Sequence, residues 1–199
     1  MLHGRRNPFV AQEGVPWLLA LAIVAILLIR YSDPLLAIIP GILVVFLYLV
    51  FRDPHRSVPS VALGVFSPVD GEVVSVDEIE QGDIGEAVLR VIIRVDSLGT
   101  YTARSPVEGT IRDLGKKALL LETDEGENVV LKFSGYRLGL APRAFAKFGE
   151  RLGQGQRFAY LRLTRTAEVQ LPANGKVLVE PGQTLVAGMD IIGSVPSPR

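Results

Sequence analysis

The sequence predicts an N-terminal transmembrane α-hairpin followed by a mainly β domain. Residues 15–51 are almost entirely apolar, and a polar break at 30–34 divides them into two uncharged runs. From residue 57 onward, Val, Leu and Ile alternate with polar residues over segments of strand length. Long apolar runs are typical of helices that cross a hydrocarbon layer of about 30 Å, and alternation is typical of half-buried strands. We therefore expect a membrane anchor and a separate β core.

Two other interpretations of the apolar runs are less consistent with the sequence. A cleaved secretory signal needs a small-residue cleavage site after one short apolar core, whereas here a second apolar run follows at once. A pair of buried helices in a soluble protein normally keeps a polar stripe, which both runs lack. The Pro-Gly pair at 40–41 is tolerated in a bilayer helix. We therefore interpret residues 15–51 as a membrane hairpin.

The flanking charges predict the orientation of the hairpin. Arg5 and Arg6 precede it and Arg52 and Arg56 follow it, while the connecting segment carries one arginine and one aspartate. Because positive flanks favour the cytoplasm, we expect both termini and the β domain at the inner face of the cell membrane. The predicted organisation is an N-terminal segment at 1–14, the hairpin at 15–51, a linker at 52–66, the β domain at 67–193 and a tail at 194–199.

Composition narrows the range of partners and chemistries. The chain has 199 residues, a formal net charge of zero and no cysteine. Without cysteine there is no disulfide, thiolate zinc site or thiol nucleophile, and we predict no metal site. The balanced charge has no basic stripe, which argues against a nucleic-acid partner. The expected partner is the phospholipid membrane, and no feature predicts the oligomeric state.

The β domain is punctuated by glycine and proline, and about 140 residues are enough for one core. A hairpin turn is expected at 124–127, and a short helix at 142–147, where Pro142 suits a first helical turn. Strands are predicted at 71–77, 87–95, 109–114, 118–123, 128–133, 156–163, 167–171, 176–179 and 190–192.

An internal repeat refines the fold prediction. Ser-Pro-Val-Asp-Gly-Glu-Val at 67–73 recurs as Ser-Pro-Val-Glu-Gly-Thr-Ile at 105–111, and segments 149–156 and 180–188 share a glycine-spaced turn pattern. Such repeats predict quasi-symmetric β units. They resemble the barrel-sandwich folds of biotinyl and lipoyl carriers. A carrier function is not expected, because those carriers need a lysine at a hairpin tip and Met189 is followed by Asp190.

An ordered set of motifs from about residue 8 to about residue 190 resembles the short, membrane-anchored type of phosphatidylserine decarboxylase. No single motif is specific, but their order and spacing are. The motifs are Glu-Gly-Val-Pro at 13–16, Phe-Arg-Asp-Pro-His-Arg at 51–56, the repeated segments at 67–71 and 104–109, Phe-Ser-Gly at 133–135 and Pro-Arg-Ala-Phe at 142–145.

The resemblance implies a pyruvoyl enzyme that decarboxylates phosphatidylserine to phosphatidylethanolamine. In that family a serine attacks its own backbone at a Gly-Ser bond, and the new N-terminus becomes a pyruvoyl group. The ketone forms a Schiff base with the substrate amine and accepts electrons as carbon dioxide leaves. An aspartate and a histidine assist self-cleavage and proton transfer. Phosphatidylserine or another aminophospholipid is therefore the expected ligand.

The site residues implied by the resemblance are only partly present. Asp70 matches the family aspartate, and Arg104 matches the arginine of a His-Val-Asn-Arg motif whose histidine is Tyr101 here. Arg104 and Arg143 are candidate contacts to lipid phosphate, since guanidinium matches phosphate geometry. Simpler interpretations are a turn for Asp70, a packed aromatic for Tyr101 and solvated charges for the two arginines.

The self-cleavage pair is the clearest departure from the family pattern. The family has Gly-Ser-Arg where this chain has Thr164, Arg165 and Thr166. Arginine has no hydroxyl to attack the preceding carbonyl, and a threonine would give a ketobutyryl rather than a pyruvoyl group. The Gly-Ser pair that ends at Ser194 follows the last predicted strand, where a loose tail is expected. We therefore expect that the pyruvoyl group does not form.

Three functional hypotheses remain. The first is an active decarboxylase with an atypical nucleophile, which predicts a chain cleaved into two subunits. The second is a homologue that keeps the anchored scaffold but does not process itself, and that binds lipid or regulates an active relative. The third is a membrane-anchored β module that serves as an adaptor or binding platform. Because fold alone does not determine function, the site departures favour the second hypothesis.

Overall fold

The structure is a computed structural model that describes residues 9–114, 118–136 and 140–197. The chain divides into two compact units, one ending at His55 and the other beginning at Arg56. We call the first the helical unit and the second the β unit, and describe each by itself.

The helical unit contains two antiparallel apolar helices, α1 (Val15–Tyr31) and α2 (Ile38–Phe51), joined through a 3₁₀ turn at Pro34–Ala37. Asp33 caps that turn, since its Oδ1 accepts a hydrogen bond from the Leu35 amide at 2.9 Å. Among the described residues, one helical stretch, Pro34–Phe51, is long and apolar enough to cross a membrane, and Val15–Tyr31 is apolar but shorter.

Backbone hydrogen bonds join the segment before α1 to the segment after α2. The Ala11 amide donates to the Phe51 carbonyl at 2.8 Å, and the Asp53 amide donates to the Phe9 carbonyl at 2.8 Å. Gly14 faces the Phe51 ring so closely that a Cβ at this position would lie 2.3 Å from it. The two ends of the hairpin therefore lie on the same side, as a hairpin requires.

The β unit contains fourteen strands in its described residues: β1 (Gly64–Phe66), β2 (Gly71–Ile79), β3 (Val88–Val95), β4 (Thr102–Arg104), β5 (Gly109–Leu114), β6 (Ala118–Glu122), β7 (Asn128–Ser134), β8 (Arg143–Ala144), β9 (Arg151–Leu152), β10 (Arg157–Tyr160), β11 (Thr166–Pro172), β12 (Lys176–Val177), β13 (Thr184–Leu185) and β14 (Ile191–Ser194).

These strands form an antiparallel sheet in the order β13-β2-β3-β11-β7-β6-β5-β9 and two three-stranded sheets, β1-β14-β12 and β4-β10-β8. The prediction of a mainly β domain is therefore confirmed. The described strands close no barrel, so the barrel-sandwich stays a prediction. Alternate residues of the long strands point into one core, which includes Val91, Ile93, Ile111, Leu121, Leu131, Phe158 and Leu171.

The predicted helix at 142–147 is wrong. The backbone there is extended: Arg143 and Ala144 form β8 and pair with Tyr160 and Ala159 of β10. Pairing with a neighbouring strand satisfies these backbone groups, so a proline at 142 does not start a helix. The strand predicted at 156–163 is shorter in the structure, where β10 ends at Tyr160 and a turn follows at 162–163.

The sequence repeat corresponds to two equivalent β hairpins, β2–β3 and β5–β6. Ser67 and Ser105 precede the hairpins, and their hydroxyls donate to the carbonyl oxygens of Val69 and Val107, each at 2.7 Å. On the outer side of each hairpin lies a two-residue strand, β13 beside β2 and β9 beside β5. The two halves are therefore built by the same local interactions.

Glycine turns complete the equivalence of the two halves. The Gly188 amide donates to the Ser67 carbonyl at 2.8 Å, and the Gly155 amide donates to the Ser105 carbonyl at 2.9 Å. Both glycines have positive φ angles, +71° and +67°, a conformation that favours glycine. The two glycine-spaced segments of the sequence thus support the two halves of the repeat.

Strand register defines the two ends of the large sheet. Gly71 of β2 lies opposite Val95 of β3, and Leu185 of β13 also lies opposite Gly71. We call the end formed by residue 70 and residues 95–100, 161–165 and 186–190 the Asp70 end. We call the end formed by residues 80–87, 124–127 and 172–174 the opposite end. The predicted site residues Asp70, Tyr101, Thr164 and Arg165 lie at or beside the Asp70 end.

Candidate functional site

Asp70 is the most heavily hydrogen-bonded side chain of the candidate site. Its carboxylate accepts bonds from Arg56 Nη1 at 2.5 Å and Nη2 at 2.7 Å. It also accepts backbone bonds from the Thr100 amide and the Ala187 amide, each at 2.8 Å. The side chain is only 13% exposed. Four donors from three distant segments therefore surround one buried carboxylate.

Two turns hold the backbone donors against Asp70. The turn before Thr100 is fixed by the Asp96 amide, which donates to the Asp70 carbonyl at 2.9 Å. Gly99 in this turn is required by space, because a Cβ there would lie 2.7 Å from the Asp70 Cβ. The turn that carries Ala187 is closed by the Asp190 carboxylate, which accepts a bond from the Val186 amide at 2.7 Å. The amides are thus preorganised toward the carboxylate.

The environment of Asp70 favours its ionised form. Burial by itself raises the pKa of the carboxyl, but the hydrogen bond and charge of Arg56 and the amides of Ala187 and Thr100 outweigh it, so the pKa lies below its ordinary value. The carboxylate is therefore an anion at neutral pH. Its oxygens already accept four hydrogen bonds, which leaves little capacity to accept a proton from a substrate.

Arg56 is the site residue that sequence reasoning missed. Its sequence position predicts only a positive flank of the hairpin, whereas in the structure its side chain is 12% exposed and pairs with Asp70. Its Nη1 also donates to the Ala187 carbonyl at 2.9 Å. The available signal was its position at the end of the 51–56 motif, one of the segments that carry the family resemblance.

Tyr101 follows Thr100 and belongs to an aromatic cluster. Its ring centroid lies 5.9 Å from that of Tyr160, which lies 5.0 Å from that of Phe145. These separations are typical of favourable aromatic pairs. Tyr101 is half-buried and supplies no imidazole where the family motif has histidine. The position is therefore occupied by a packed aromatic side chain adjacent to the Asp70 carboxylate's donor, Thr100.

Thr164 and Arg165 form the turn that leads from β10 into β11. Thr164 is buried, and its Oγ1 donates to the Leu161 carbonyl at 2.6 Å. The Arg165 side chain is exposed, while its backbone carbonyl accepts a bond from the Val95 amide at 2.8 Å. The hydroxyl of Thr164 is thus bonded to a backbone carbonyl rather than to a general base.

The two arginines proposed as phosphate contacts lie in different environments. Arg104 in β4 is 3% exposed, and its Nη1 donates to the Gly155 carbonyl at 3.1 Å. A Cβ on Gly188 would lie 2.8 Å from the Arg104 Cδ, so this side chain fills space between the two glycine turns. Arg143 in β8 is exposed. Of these two arginines, only Arg143 presents its side chain at the surface.

Three hydrogen bonds and the backbone between them connect the predicted catalytic positions. Asp70 accepts from Thr100, and the carbonyl of the next residue, Tyr101, accepts from the Leu161 amide at 2.8 Å. Leu161 in turn accepts from the Thr164 hydroxyl. The structure therefore places Asp70, Tyr101 and Thr164 on adjoining segments of the chain.

A cleft beside the repeated segment lies away from the Asp70 end. It has a volume of about 200 Å³ and is lined by residues 60–64 and by Glu108, Asp124 and Gln154, among others.

Within the described ranges, no three His, Cys, Asp or Glu side chains are grouped so that they could hold a metal ion. The polar groups around Asp70 are thus an arginine side chain, backbone amides and a carboxylate that already accepts four hydrogen bonds.

No family model matches the chain, but it is similar to curated proteins over nearly its whole length. It is 34% identical to the phosphatidylserine decarboxylase proenzyme of Symbiobacterium thermophilum, with 96% of this chain and 98% of that protein covered. The proenzyme of Nitrosomonas europaea is 29% identical, with 94% and 95% covered, and that of Burkholderia mallei is 25% identical, with 96% and 97% covered.

Among solved structures, the glucose permease IIA from Mycoplasma capricolum is 17% identical, with a TM-score of 0.49, 66% of this chain covered and 94% of that chain covered. This likeness is too weak to assign the fold. The relatives of like length are decisive, because identity of 34% extends from one end of both proteins to the other. The chain therefore belongs to the phosphatidylserine decarboxylase proenzyme family.

Proposed function

We propose that this chain is a member of the family that does not process itself and that binds phospholipid at the inner face of the cell membrane. The observation that carries the proposal is the turn at 164–165. Arg165 stands where the family has the attacking serine, and its side chain is exposed and has no hydroxyl. A self-cleaving chain needs a hydroxyl at that point to form the ester intermediate.

The neighbouring threonine is a poor substitute for the serine. Its hydroxyl is buried and donates to the Leu161 carbonyl at 2.6 Å. A hydroxyl nucleophile is normally activated by an adjacent base that accepts its proton. The residues of the site therefore do not fit a pyruvoyl group, and no catalytic step is assigned through one.

The state of Asp70 supports the same proposal. A catalytic carboxylate has to exchange a proton or orient a histidine, but Asp70 is bonded to Arg56 on both oxygens. Both histidines of the sequence, His3 and His55, lie before the β unit. Asp70 in this chain is thus suited to holding three segments of the β unit together.

Lipid binding is supported by the exposed arginines and by the family. The relatives are named for phosphatidylserine decarboxylase, so an aminophospholipid is the ligand class to test first. Arg165 and Arg143 are exposed residues, and a guanidinium matches phosphate geometry. A protein of this kind would retain or present the lipid, or regulate an active relative, without carrying out decarboxylation.

The first experiment is the intact mass of the purified full chain together with a denaturing gel. A single species at 21.6 kDa is the expected result. Two fragments, one with a blocked N-terminus near residues 164–166 or at Ser194, would overturn the proposal in favour of an active enzyme. Thr164→Val and Thr166→Val are matched variants that keep side-chain volume while removing one hydroxyl, so they would identify the nucleophile.

The second experiment tests lipid selectivity. The full chain in detergent is mixed with short-chain phosphatidylserine or phosphatidylcholine, and bound lipid is counted by native mass spectrometry. We expect more phosphatidylserine than phosphatidylcholine on the wild type, and less on Arg165→Ala. Equal retention of both lipids by the wild type and by Arg165→Ala would contradict selective lipid binding, and retention of neither lipid would favour an adaptor. Arg151→Ala, which removes an exposed arginine that pairs with Asp124 of the opposite end, is the control.

A further inference from the structure

The exposed apolar side chains of the β unit are concentrated at the Asp70 end. Leu98 is 57% exposed, Met189 42%, Leu163 39% and Val186 37%. They are four of the eight large hydrophobic side chains that are exposed in the described part of this unit. Surface turns are usually polar, and several exposed apolar side chains on adjacent turns mark an interaction surface.

The three turns that carry these side chains are bound to one another. The 96–100 turn and the 186–190 turn both donate an amide to Asp70. The 161–165 turn is joined to the first of them, because the Val95 amide donates to the Arg165 carbonyl. Their apolar tips therefore belong to one surface with a fixed arrangement. We call this surface the tip surface; it consists of residues 96–100, 161–165 and 186–190.

Charge distinguishes the tip surface from the opposite end of the sheet. The tip surface has two acidic and two basic residues. Both of its carboxylates are engaged within their own turns, Asp96 with the Leu98 amide and Asp190 with the Val186 amide. The turns of the opposite end contain no basic residue and six acidic ones, Glu80, Asp83, Glu86, Asp124, Glu125 and Glu127. Two of the six pair with basic residues of neighbouring strands, Asp83 with Lys132 and Asp124 with Arg151, which leaves this end with an acidic excess.

The difference in charge between the two ends of the large sheet identifies the kind of partner. The inner leaflet carries anionic lipid, which attracts basic and repels acidic groups close to its surface. An apolar side chain beside an arginine is favourable in the interfacial layer of a bilayer. The apolar side chain enters the region where the lipid acyl chains begin, and the guanidinium stays at the phosphates. The tip surface has this combination in Leu163 and Arg165, whereas the opposite end would be repelled.

The chain connection favours the same partner. Arg56, which is bonded to Asp70, is only the fifth residue after Phe51, the last residue of α2. The chain therefore enters the β unit at the base of the tip surface, where Arg56 is bonded to Asp70. No comparable short connection leads from the helical unit to the opposite end, whose first turn begins at residue 80.

We propose that the tip surface inserts the side chains of Leu98, Leu163, Val186 and Met189 into the interfacial layer of an anionic phospholipid bilayer, with Arg165 at the level of the lipid phosphates. The β unit then meets the membrane with its Asp70 end, and the acidic opposite end faces the aqueous phase. This inference rests on the proposed function for its lipid partner, but it concerns the surface that makes contact and not the headgroup that is selected.

The absence of cysteine from the sequence makes a direct test possible. Single substitutions Leu98→Cys and Met189→Cys place one environment-sensitive fluorophore at the tips, and Asn174→Cys places the matched probe at the opposite end. Each full-length protein is reconstituted into vesicles of phosphatidylcholine with phosphatidylglycerol, with and without a lipid that carries a nitroxide quencher on its acyl chain. Circular dichroism checks that each labelled protein is folded.

We expect the labels at 98 and 189 to emit at shorter wavelength and to be quenched several-fold more by the lipid-borne nitroxide than the label at 174. Tip labels as water-exposed and unquenched as the label at 174 would overturn the inference. Shifted emission without quenching by lipid would also overturn it, because a second copy or another protein would then cover the surface. The readout needs neither self-processing nor headgroup selectivity, so its failure would leave the intact-mass result standing.

Discussion

Arg56 and Asp70 form a bidentate ion pair in which both carboxylate oxygens receive a guanidinium hydrogen bond, at 2.5 and 2.7 Å. The pair joins the residue that begins the β unit to the residue that precedes β2. Its side chains are 12% and 13% exposed, so the pair is shielded from most of the solvent screening that weakens surface salt bridges. Asp70, where the resemblance implies a catalytic aspartate, is therefore held in an ion pair between two segments of the β unit.

Removal of the guanidinium should destabilise the β unit. Arg56→Ala leaves the Asp70 carboxylate buried with only its two backbone donors, and breaking a pair of this kind costs about 3 kcal/mol. We expect that loss in the free energy of unfolding, measured by urea denaturation of the detergent-solubilised chain. The matched control is Arg94→Ala, whose exposed pair with Glu72 should contribute less than about 1 kcal/mol. Equal effects of the two substitutions would contradict the role given to Arg56.

The lowered pKa of Asp70 makes stability depend on acid. In the folded chain the carboxyl binds a proton only below its ordinary pKa, so between the two pKa values the unfolded chain binds more protons. The contribution of Asp70 is therefore fully present above about pH 5 and is lost as pH falls below about 4. We expect the stability difference between the wild type and Asp70→Asn to be constant from pH 7 to 5 and to shrink below pH 4. A stability difference that stays constant to pH 3 would contradict a lowered pKa for Asp70. Glu72→Gln, at an exposed carboxylate, is the control.

The two halves of the repeat should respond alike to the same substitution. A Cβ on Gly71 would lie 2.1 Å from the Arg94 carbonyl oxygen, and a Cβ on Gly109 would lie 2.4 Å from that of Glu122. Backbone cannot yield at such contacts, so Gly71→Ala and Gly109→Ala should each cost about 3 kcal/mol or more. Gly153→Ala, whose nearest contact would be 3.5 Å, is the control, and we expect little change. Thermal unfolding compares the three variants, and tolerance at either repeated glycine would argue against the equivalence.

Restoring the family pair should not by itself restore self-cleavage. The double variant Thr164→Gly, Arg165→Ser supplies the hydroxyl, but Tyr101 still provides no imidazole to accept its proton. We expect that variant to remain one chain by intact mass, and the triple variant with Tyr101→His to yield a fraction of two fragments with a blocked N-terminus. The same triple variant with alanine at position 165 is the control and should stay intact. Cleavage of the double variant would contradict the importance assigned to Tyr101.

Most of the long strands could be predicted because their side chains alternate. The segments at 109–114 and 118–123 match β5 and β6 closely, since Ile111, Leu119 and Leu121 face the core between polar neighbours. The two-residue and three-residue strands β1, β4, β9 and β13 were not predicted, because such short segments cannot display a period. The predicted helix at 142–147 was wrong because pairing with β10 outweighed local preference. In the structure β1 begins at Gly64 and β14 ends at Ser194.

The candidate site could be predicted only through its side-chain types. Asp70 was found because the resemblance marks an aspartate, and the turn that contains Ala187 was found through the glycine spacing of segment 180–188. The donors that hold it are largely backbone amides, of Thr100 and Ala187, and a backbone amide has no sequence signature. Arg56 was missed for a related reason. Its 14-residue separation from Asp70 corresponds to no helical or strand period, so only the fold brings the two together.

The Asp70 contacts also determine the order in which parts of the protein fold. The residues that converge on this carboxylate lie 14, 30 and 117 positions away in the chain, and closing such long loops is slow. Ala187 is synthesised long after both helices of the hairpin, so the hairpin can form well before the carboxylate has all of its partners. The helical unit therefore precedes the completed β unit in time as well as in sequence.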